Sequence, residues 1–224
     1  MSVIRAVLFD WRGTLAVGMT DQLWVERALA RLGEQAGNDS VRKIIDDIER
    51  AAALPEFEEA WARLDCDAEF HRQTYYRVFA AAGIRPDLAD ALYELESDPD
   101  CNPFANDVGK TLRALNDRGL KIAVVSDIHF DLRPTFDKAA LLELVEAFVL
   151  SFERGVQKPD PSIFRIALDE LDVEPQEALM VGDRPAYDGA ALALGMPALL
   201  LAPLREVADE RLDLVLRLTI TRDA

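Results

Sequence analysis

Asp10, Ser126, Asp127, Lys158, Asp183 and Asp188 are the residues of this sequence whose types and settings can do chemistry on an anionic substrate. Asp10 and Thr14 lie in FDWRGTL, residues 9–15, and Ser126 and Asp127 close VVSD, residues 124–127. Lys158 stands in GVQKPDPSIF, and both Asp183 and Asp188 lie in VGDRPAYDGAALALGM, residues 181–196. A carboxylate such as Asp10 can attack an electrophile and form a covalent aspartyl intermediate. A lysine is a point charge that can hold the attacking group and the transferring anion together. The Ser126 hydroxyl can donate to a non-bridging oxygen. Asp183 is a hard oxygen ligand suited to Mg²⁺. Taken singly, an acid at a strand end caps a turn and a loop lysine is a solvated charge. The functional reading rests on the four pieces together.

The elements around these residues explain how they can meet. Residues 3–10, VIRAVLFD, read as a buried strand ending on Asp10. LKIAVVSD, FVLSF, EALMVGD and PALLLA read as further strands, and LDLVLRL as a last strand or terminal segment. Helical spacing fills NDVGKTLRALNDRG, PTFDKAALLELV, DPSIFRIALDELDV and AYDGAALALG. Alternating strands and helices imply an α/β fold, a parallel sheet with helices on both faces. Ligands in such sheets bind outside the carboxyl ends of the strands, which selects Asp10, Ser126 and Asp183. From about residue 20 to 97 the pattern is helical throughout, with Asn38, Asp39 and Ser40 as cap candidates for one helix. Trp24, Trp61, Tyr75, Tyr76 and Phe79 read as the core of this insert.

In order and spacing, the four pieces resemble the motifs of the haloacid dehalogenase superfamily of hydrolases. The resemblance covers residues 1–16 and about 100–202. It implies a three-layer Rossmann-like core, residues 1–16 and 99–224, with a type I helical cap inserted at residues 17–98. It also implies that Asp10 is the nucleophile, that Ser126, Lys158, Thr14 and Asp127 line the substrate, and that Asp188 supports the metal shell or Lys158. Mg²⁺ would then be held by Asp10, Asp183 and the backbone carbonyl of Arg12.

Arg12 departs from the pattern. The family's phosphatases carry a second aspartate there, as general acid and then base, and a guanidinium cannot exchange protons near neutral pH. Asp127 stands where asparagine is common, and an Arg12–Asp127 salt bridge would offset the extra anion. The 2-haloacid dehalogenases also lack the second acid but work without metal. Phosphonoacetaldehyde hydrolases look similar at Asp10-Trp11 and Gly13-Thr14 and need a cap lysine, for which Lys43 is the sole candidate. His71 lies on a cap helix and reads as a packed or surface residue. His129 follows the second motif and can replace the missing acid–base group or simply pack its loop.

The expected function is a Mg²⁺-dependent phosphatase acting on a small phosphorylated metabolite. The alternatives are a disabled relative that binds a ligand or a partner, and a C–P or C–halogen hydrolase. A receiver-like signalling domain also places an acid at a strand end, but it has no large helical insert after that acid. A net charge of −16 over 224 residues argues against nucleic-acid or anionic-membrane partners. Two cysteines without a CxxC read as free thiols, and no apolar run reaches membrane-spanning length. A soluble, cytoplasmic protein is expected, monomeric or homodimeric.

Overall fold

The computed structural model describes residues 3–219 apart from residue 36. Its centre is a five-stranded parallel sheet made of β1 (Ala6–Phe9), β2 (Lys121–Ser126), β3 (Ala147–Leu150), β4 (Ala178–Gly182) and β5 (Ala198–Leu200). The strand order is β3-β2-β1-β4-β5, so the strand that ends at Asp10 is central. Side chains alternate across the sheet. Val7, Phe9, Ile122, Val124, Phe148 and Leu150 share one buried cluster with helix residues Val108, Leu112 and Leu115. Ala6, Leu8, Ala123, Val125, Ala147 and Val149 face the other way, against Ile163, Phe164, Ala167 and Leu171. Covered on both faces, the strands have no polar side to show, which is why they read as continuous apolar runs.

Between β1 and β2 the chain forms α1 (Asp21–Arg31), α2 (Asn38–Ala52), α3 (Glu58–Trp61), α4 (Ala68–Ala81) and α5 (Pro86–Glu96), then α6 (Val108–Asp117). Thr20 caps α1 and Asp67 caps α4, each side chain accepting a backbone N–H. For α2, the expected caps fall inside the helix. It starts at Asn38, and Gly37 at the cap position offers no side chain. Phe79 is buried within this helical segment, with Trp24, Tyr75 and Tyr76 half-buried around it. Trp61 packs on a separate small cluster with Phe57 and Val78. The indole N–H groups of Trp24 and Trp61 donate to the carbonyls of Leu92 and Ala52, both at 2.8 Å.

After β2 come α7 (Arg133–Lys138), α8 (Ser151–Arg154), α9 (Ser162–Leu171) and α10 (Asp213–Leu218). Three sequence expectations change here. LDLVLRL is helix α10, not a strand: Leu212 and Val215, three apart, bury on the core, and Asp213 pairs with Arg217 at 2.5 Å. AYDGAALALG forms a 3₁₀ helix over Asp188–Leu194. PTFDKAALLELV breaks after α7, where Ala140 takes a positive φ of 53°, and resumes as a 3₁₀ turn over Leu142–Leu144. Cys66 and Cys101 are free thiols. No helix among the described residues is long and apolar enough to cross a membrane.

Candidate active site

β1 delivers Asp10 to the centre of the sheet edge. Phe9 pairs with Val124 on one side and Val181 on the other, and Asp10 N–H donates to the Val181 carbonyl at 2.9 Å. Trp11, fully buried in the core, anchors the turn that follows. Arg211 braces the same turn from outside by donating to the Thr14 carbonyl at 2.7 Å. Asp10 is 2% exposed. The Thr14 hydroxyl donates to its Oδ2 at 3.2 Å, and Lys158 Nζ donates to its Oδ1 at 2.5 Å. Lys158 Nζ also donates to Asp188 Oδ1 at 2.6 Å. The other oxygen of Asp188 accepts the backbone N–H groups of Asp183 and Arg184, at 3.1 and 2.9 Å.

Lys158 is thus a fully buried cation between two buried carboxylates. Burial alone would lower its pKa, but the charges of Asp10, Asp127 and Asp188 outweigh that and hold the ammonium above its ordinary value. Burial pushes Asp10 up to about 6; Lys158 opposes the rise and Asp188 adds to it. Asp183 is also raised, by burial first and by the charge of Asp188.

In the second motif, Asp127 takes partners other than the one expected. Ser126, 2% exposed, ends β2 at the same edge. Asp127 does not pair with Arg12. Its Oδ1 accepts the backbone N–H of Lys158 at 2.8 Å, and its Oδ2 pairs with Arg184 at 3.0 Å. Arg12 turns the other way, onto Glu96 at the end of α5, at 2.7 Å. There it helps to line a cavity of about 100 Å³ with Glu96, Tyr75 and Trp24. The proposed Arg12–Asp127 bridge is therefore replaced by two others. Glu96 takes Arg12, and Arg184 supplies the cation near Asp127. The sequence does not single out Arg184 or Glu96; the only local signal for Arg184 is that it is a cation directly after Asp183.

The donor set fits a hard divalent ion. Carboxylate oxygens of Asp10, Asp183 and Asp188 lie within 4.8 Å of one another. Asp188 is already committed to Lys158 and two backbone donors, whereas Asp183 Oδ1 is buried without a hydrogen-bond partner among the described residues. An orphaned carboxylate oxygen beside a second buried carboxylate is unfavourable unless a cation joins them. Gly13 makes this approach possible. Its φ is +89°, and a Cβ there would stand 2.5 Å from Asp183 Oδ2. Gly13→Ala is expected to destabilise the fold by about 1–3 kcal/mol and to weaken Mg²⁺ binding, because both the backbone and the Asp183 carboxylate must shift. Chemical denaturation and calorimetric Mg²⁺ titration check this; unchanged affinity would contradict it.

The remaining candidates separate clearly. Lys43 is 76% exposed on α2 and paired with Asp47 at 2.6 Å, a solvent-facing i,i+4 pair. His71 and His129 are both buried, and their rings stack with centroids 3.5 Å apart. Asp65, on a 3₁₀ turn over Leu64–Cys66, faces both imidazoles. Nothing in its local sequence marked Asp65.

A parallel sheet with this edge, and an all-helical excursion after its first strand, agrees with comparison to known proteins. The signature of the haloacid dehalogenase-like hydrolases matches residues 4–195. The chain belongs to that family. The mouse haloacid dehalogenase-like hydrolase domain-containing protein 3 is 33% identical to it over 162 residues, 69% of this chain and 62% of that protein. The phosphoserine phosphatase of Thermus thermophilus is 33% identical over 195 residues, 84% of this chain and 66% of that protein. The chain therefore spans slightly less than two thirds of the length of either relative. The crystal structure of L-2-haloacid dehalogenase from Xanthobacter autotrophicus superposes with a TM-score of 0.64 at 23% identity, covering 90% of this chain and 79% of that one. That likeness speaks for the fold. Among its relatives, this haloacid dehalogenase-like hydrolase has both phosphatases and haloacid dehalogenases, so membership alone does not choose the bond that is broken.

Proposed function

We propose that this hydrolase is a Mg²⁺-dependent phosphatase of small phosphorylated metabolites, working through an aspartyl-phosphate at Asp10. In this reading residues 1–16 and 99–224 form the catalytic core and residues 17–98 a type I cap. The observation that carries the reading is the unpartnered Asp183 oxygen beside the Asp10–Lys158–Asp188 triad. A dehalogenase working without metal has no use for that oxygen.

Asp10 would attack in line, held by Thr14 and Lys158. Lys158 screens the nucleophile from the incoming anion and stays charged throughout. Ser126 would donate to a non-bridging oxygen, and Arg184 adds a second cation near the transferring group. Asp188 and Asp127 position Lys158 rather than react: one holds its ammonium and the other its backbone N–H. Asp10, Asp183 and the Arg12 carbonyl would hold Mg²⁺, which neutralises charge on the transferring group when bound. With Asp10 and Ser126 each 2% exposed, the helical segment must lift to admit substrate and close again to exclude water. The Arg12–Glu96 pair would latch that closed form, with Arg12 where phosphatases of this family carry their second aspartate.

A second reading is a disabled relative, favoured by the same Arg12–Glu96 latch. The test is phosphate release from a panel of phosphorylated metabolites and an aryl phosphate, with and without Mg²⁺. Metal-dependent release is expected. Silence of the wild type, with activity gained in Arg12→Asp, would overturn the phosphatase reading in favour of the disabled relative. Halide release from 2-haloacids without metal would overturn it in favour of dehalogenation.

A further inference from the structure

The hydrolysis proposed above needs a proton at the leaving oxygen and later a base for water, and Arg12 can supply neither. The acids at the sheet edge are committed. Asp10 attacks, Asp188 and Asp127 are held by hydrogen bonds, and Asp183 is the candidate metal ligand. A further carboxyl reaches this region from the helical segment. The turn Leu64–Cys66 is pinned to the core beside the strand ends: Asp65 N–H donates to Gln157 Oε1 at 2.9 Å, and the Ser151 hydroxyl donates to the Asp65 carbonyl at 2.7 Å. Gln157 immediately precedes Lys158. Ser151 Oγ accepts the N–H of Ile128, the residue after Asp127, at 2.8 Å. The turn carrying Asp65 is thus tied to the two loops that carry the second and third motifs.

The surroundings of the Asp65 carboxyl are unusual. Its side chain is 22% exposed, and among the described residues no donor reaches its carboxylate within hydrogen-bond distance. Oδ1 faces His71 Nε2 at 3.8 Å and His129 Nδ1 at 3.9 Å. The far nitrogens of these rings are held by hydroxyls, His71 Nδ1 by Tyr93 at 3.1 Å and His129 Nε2 by Ser97 at 2.9 Å. Burial holds both imidazoles far below the ordinary histidine value, so they back the carboxyl as neutral groups. The rings lie within 13° of parallel. Their lone pairs therefore run side by side instead of converging on one ion, which counts against a metal between them.

We infer that Asp65, supplied by the helical segment, is the general acid and base of this site, taking the role that Arg12 cannot fill. The inference rests on the phosphatase reading. In the first step an Asp10 oxygen bonds to phosphorus, the bond from phosphorus to the leaving oxygen breaks, and that oxygen takes the proton of Asp65. In the second step the Asp65 carboxylate takes a proton from water as the water oxygen bonds to phosphorus. The bond from Asp10 to phosphorus breaks, phosphate leaves, and Asp65 is again protonated. The charge environment suits this cycle. Burial first, then the charges of Asp127 and Glu96, push the Asp65 carboxyl up to about 7, against Arg12 and Arg184. Tyr75, Tyr93, Cys66, His71 and His129, the other titratable groups packed nearby, are uncharged at neutral pH, because burial raises the hydroxyls and the thiol and lowers the imidazoles. A donor with a pKa near the working pH is the most effective one. Because the acid rides on the helical segment, it reaches the reaction only when that segment is closed.

The test is rapid-quench kinetics on wild type and Asp65→Asn with Mg²⁺, comparing an alkyl phosphate with nitrophenyl phosphate. With the alkyl ester, whose leaving oxygen needs the proton, formation of the aspartyl adduct should fall about 10²–10³-fold in the variant. With the nitrophenyl ester the adduct should form almost normally and then accumulate, because its hydrolysis lacks a base. The wild-type bend in turnover near pH 7 should vanish in the variant. Folding is checked by melting. A carboxyl raised above its unfolded value loses stability as pH rises from about 4 to 7. Asp65→Asn should therefore melt at least as high as wild type, with the gap largest above pH 7. A wild-type adduct together with normal adduct hydrolysis in Asp65→Asn overturns the inference and leaves the phosphatase reading intact. Absence of any wild-type adduct overturns both. A stoichiometric metal ion lost on Asp65→Asn would replace the proton role with a binding site.

Discussion

Lys158→Met is expected to lower stability by about 3–5 kcal/mol at pH 8 and turnover on the order of 10²–10³-fold. Lys158 is fully buried, and its ammonium donates to both Asp10 and Asp188 at 2.5 and 2.6 Å. Methionine fills a similar volume but leaves two carboxylates side by side without their cation. Removing one member of a buried charge cluster costs far more than the cluster's net worth, because the remaining charges stay desolvated. The deficit should depend on pH with a definite sign. Burial already pushes Asp10 up to about 6 against the pull of Lys158, and losing the lysine raises it further. A raised carboxyl takes up a proton in the folded state that the unfolded chain releases, so the penalty grows as pH rises. Urea denaturation of wild type and variant at pH 5 and pH 8 reads both numbers. An equal loss at the two pH values would show that Lys158 acts through packing alone.

Asp10→Asn is expected to abolish turnover, by on the order of 10⁴-fold or more, while leaving the fold in place. The amide is nearly the same size and can still receive the Thr14 hydroxyl. Asp188 remains to hold Lys158. What disappears is the charged oxygen that would bond to the transferring group. Phosphate release by the variant in the metabolite panel is the measurement. Retention of even a tenth of wild-type turnover would mean that another group attacks.

Much of this architecture is legible in the sequence, for a local reason. A strand buried on both faces is an apolar run, and the first polar residue after it sits at the sheet edge. That placed Asp10, Ser126 and Asp183, and the helix-period segment between the first two strands read as a helical excursion. Other features depend on tertiary reach. LDLVLRL has the composition of a strand, but two residues three apart find the core, so it winds into α10. Arg12 and Asp127 are long or central enough to reach several partners. Which they meet is set by Glu96 at the end of α5 and by Arg184 after β4, far away in sequence. Asp65 was invisible because it is one acid among many in a helical stretch. Only its turn, fixed against Ser151 and Gln157, sets it apart.

On the proposed mechanism Asp10 is covalently phosphorylated during turnover. Acid-quenching the wild type seconds after mixing with a phosphorylated substrate and Mg²⁺, followed by peptide mass spectrometry, tests it directly. The expected result is the added mass of one phosphoryl group on the peptide carrying Asp10, labile to hydroxylamine and lost on removing Mg²⁺. Phosphate release without any such adduct, or an adduct on another residue, would contradict the account.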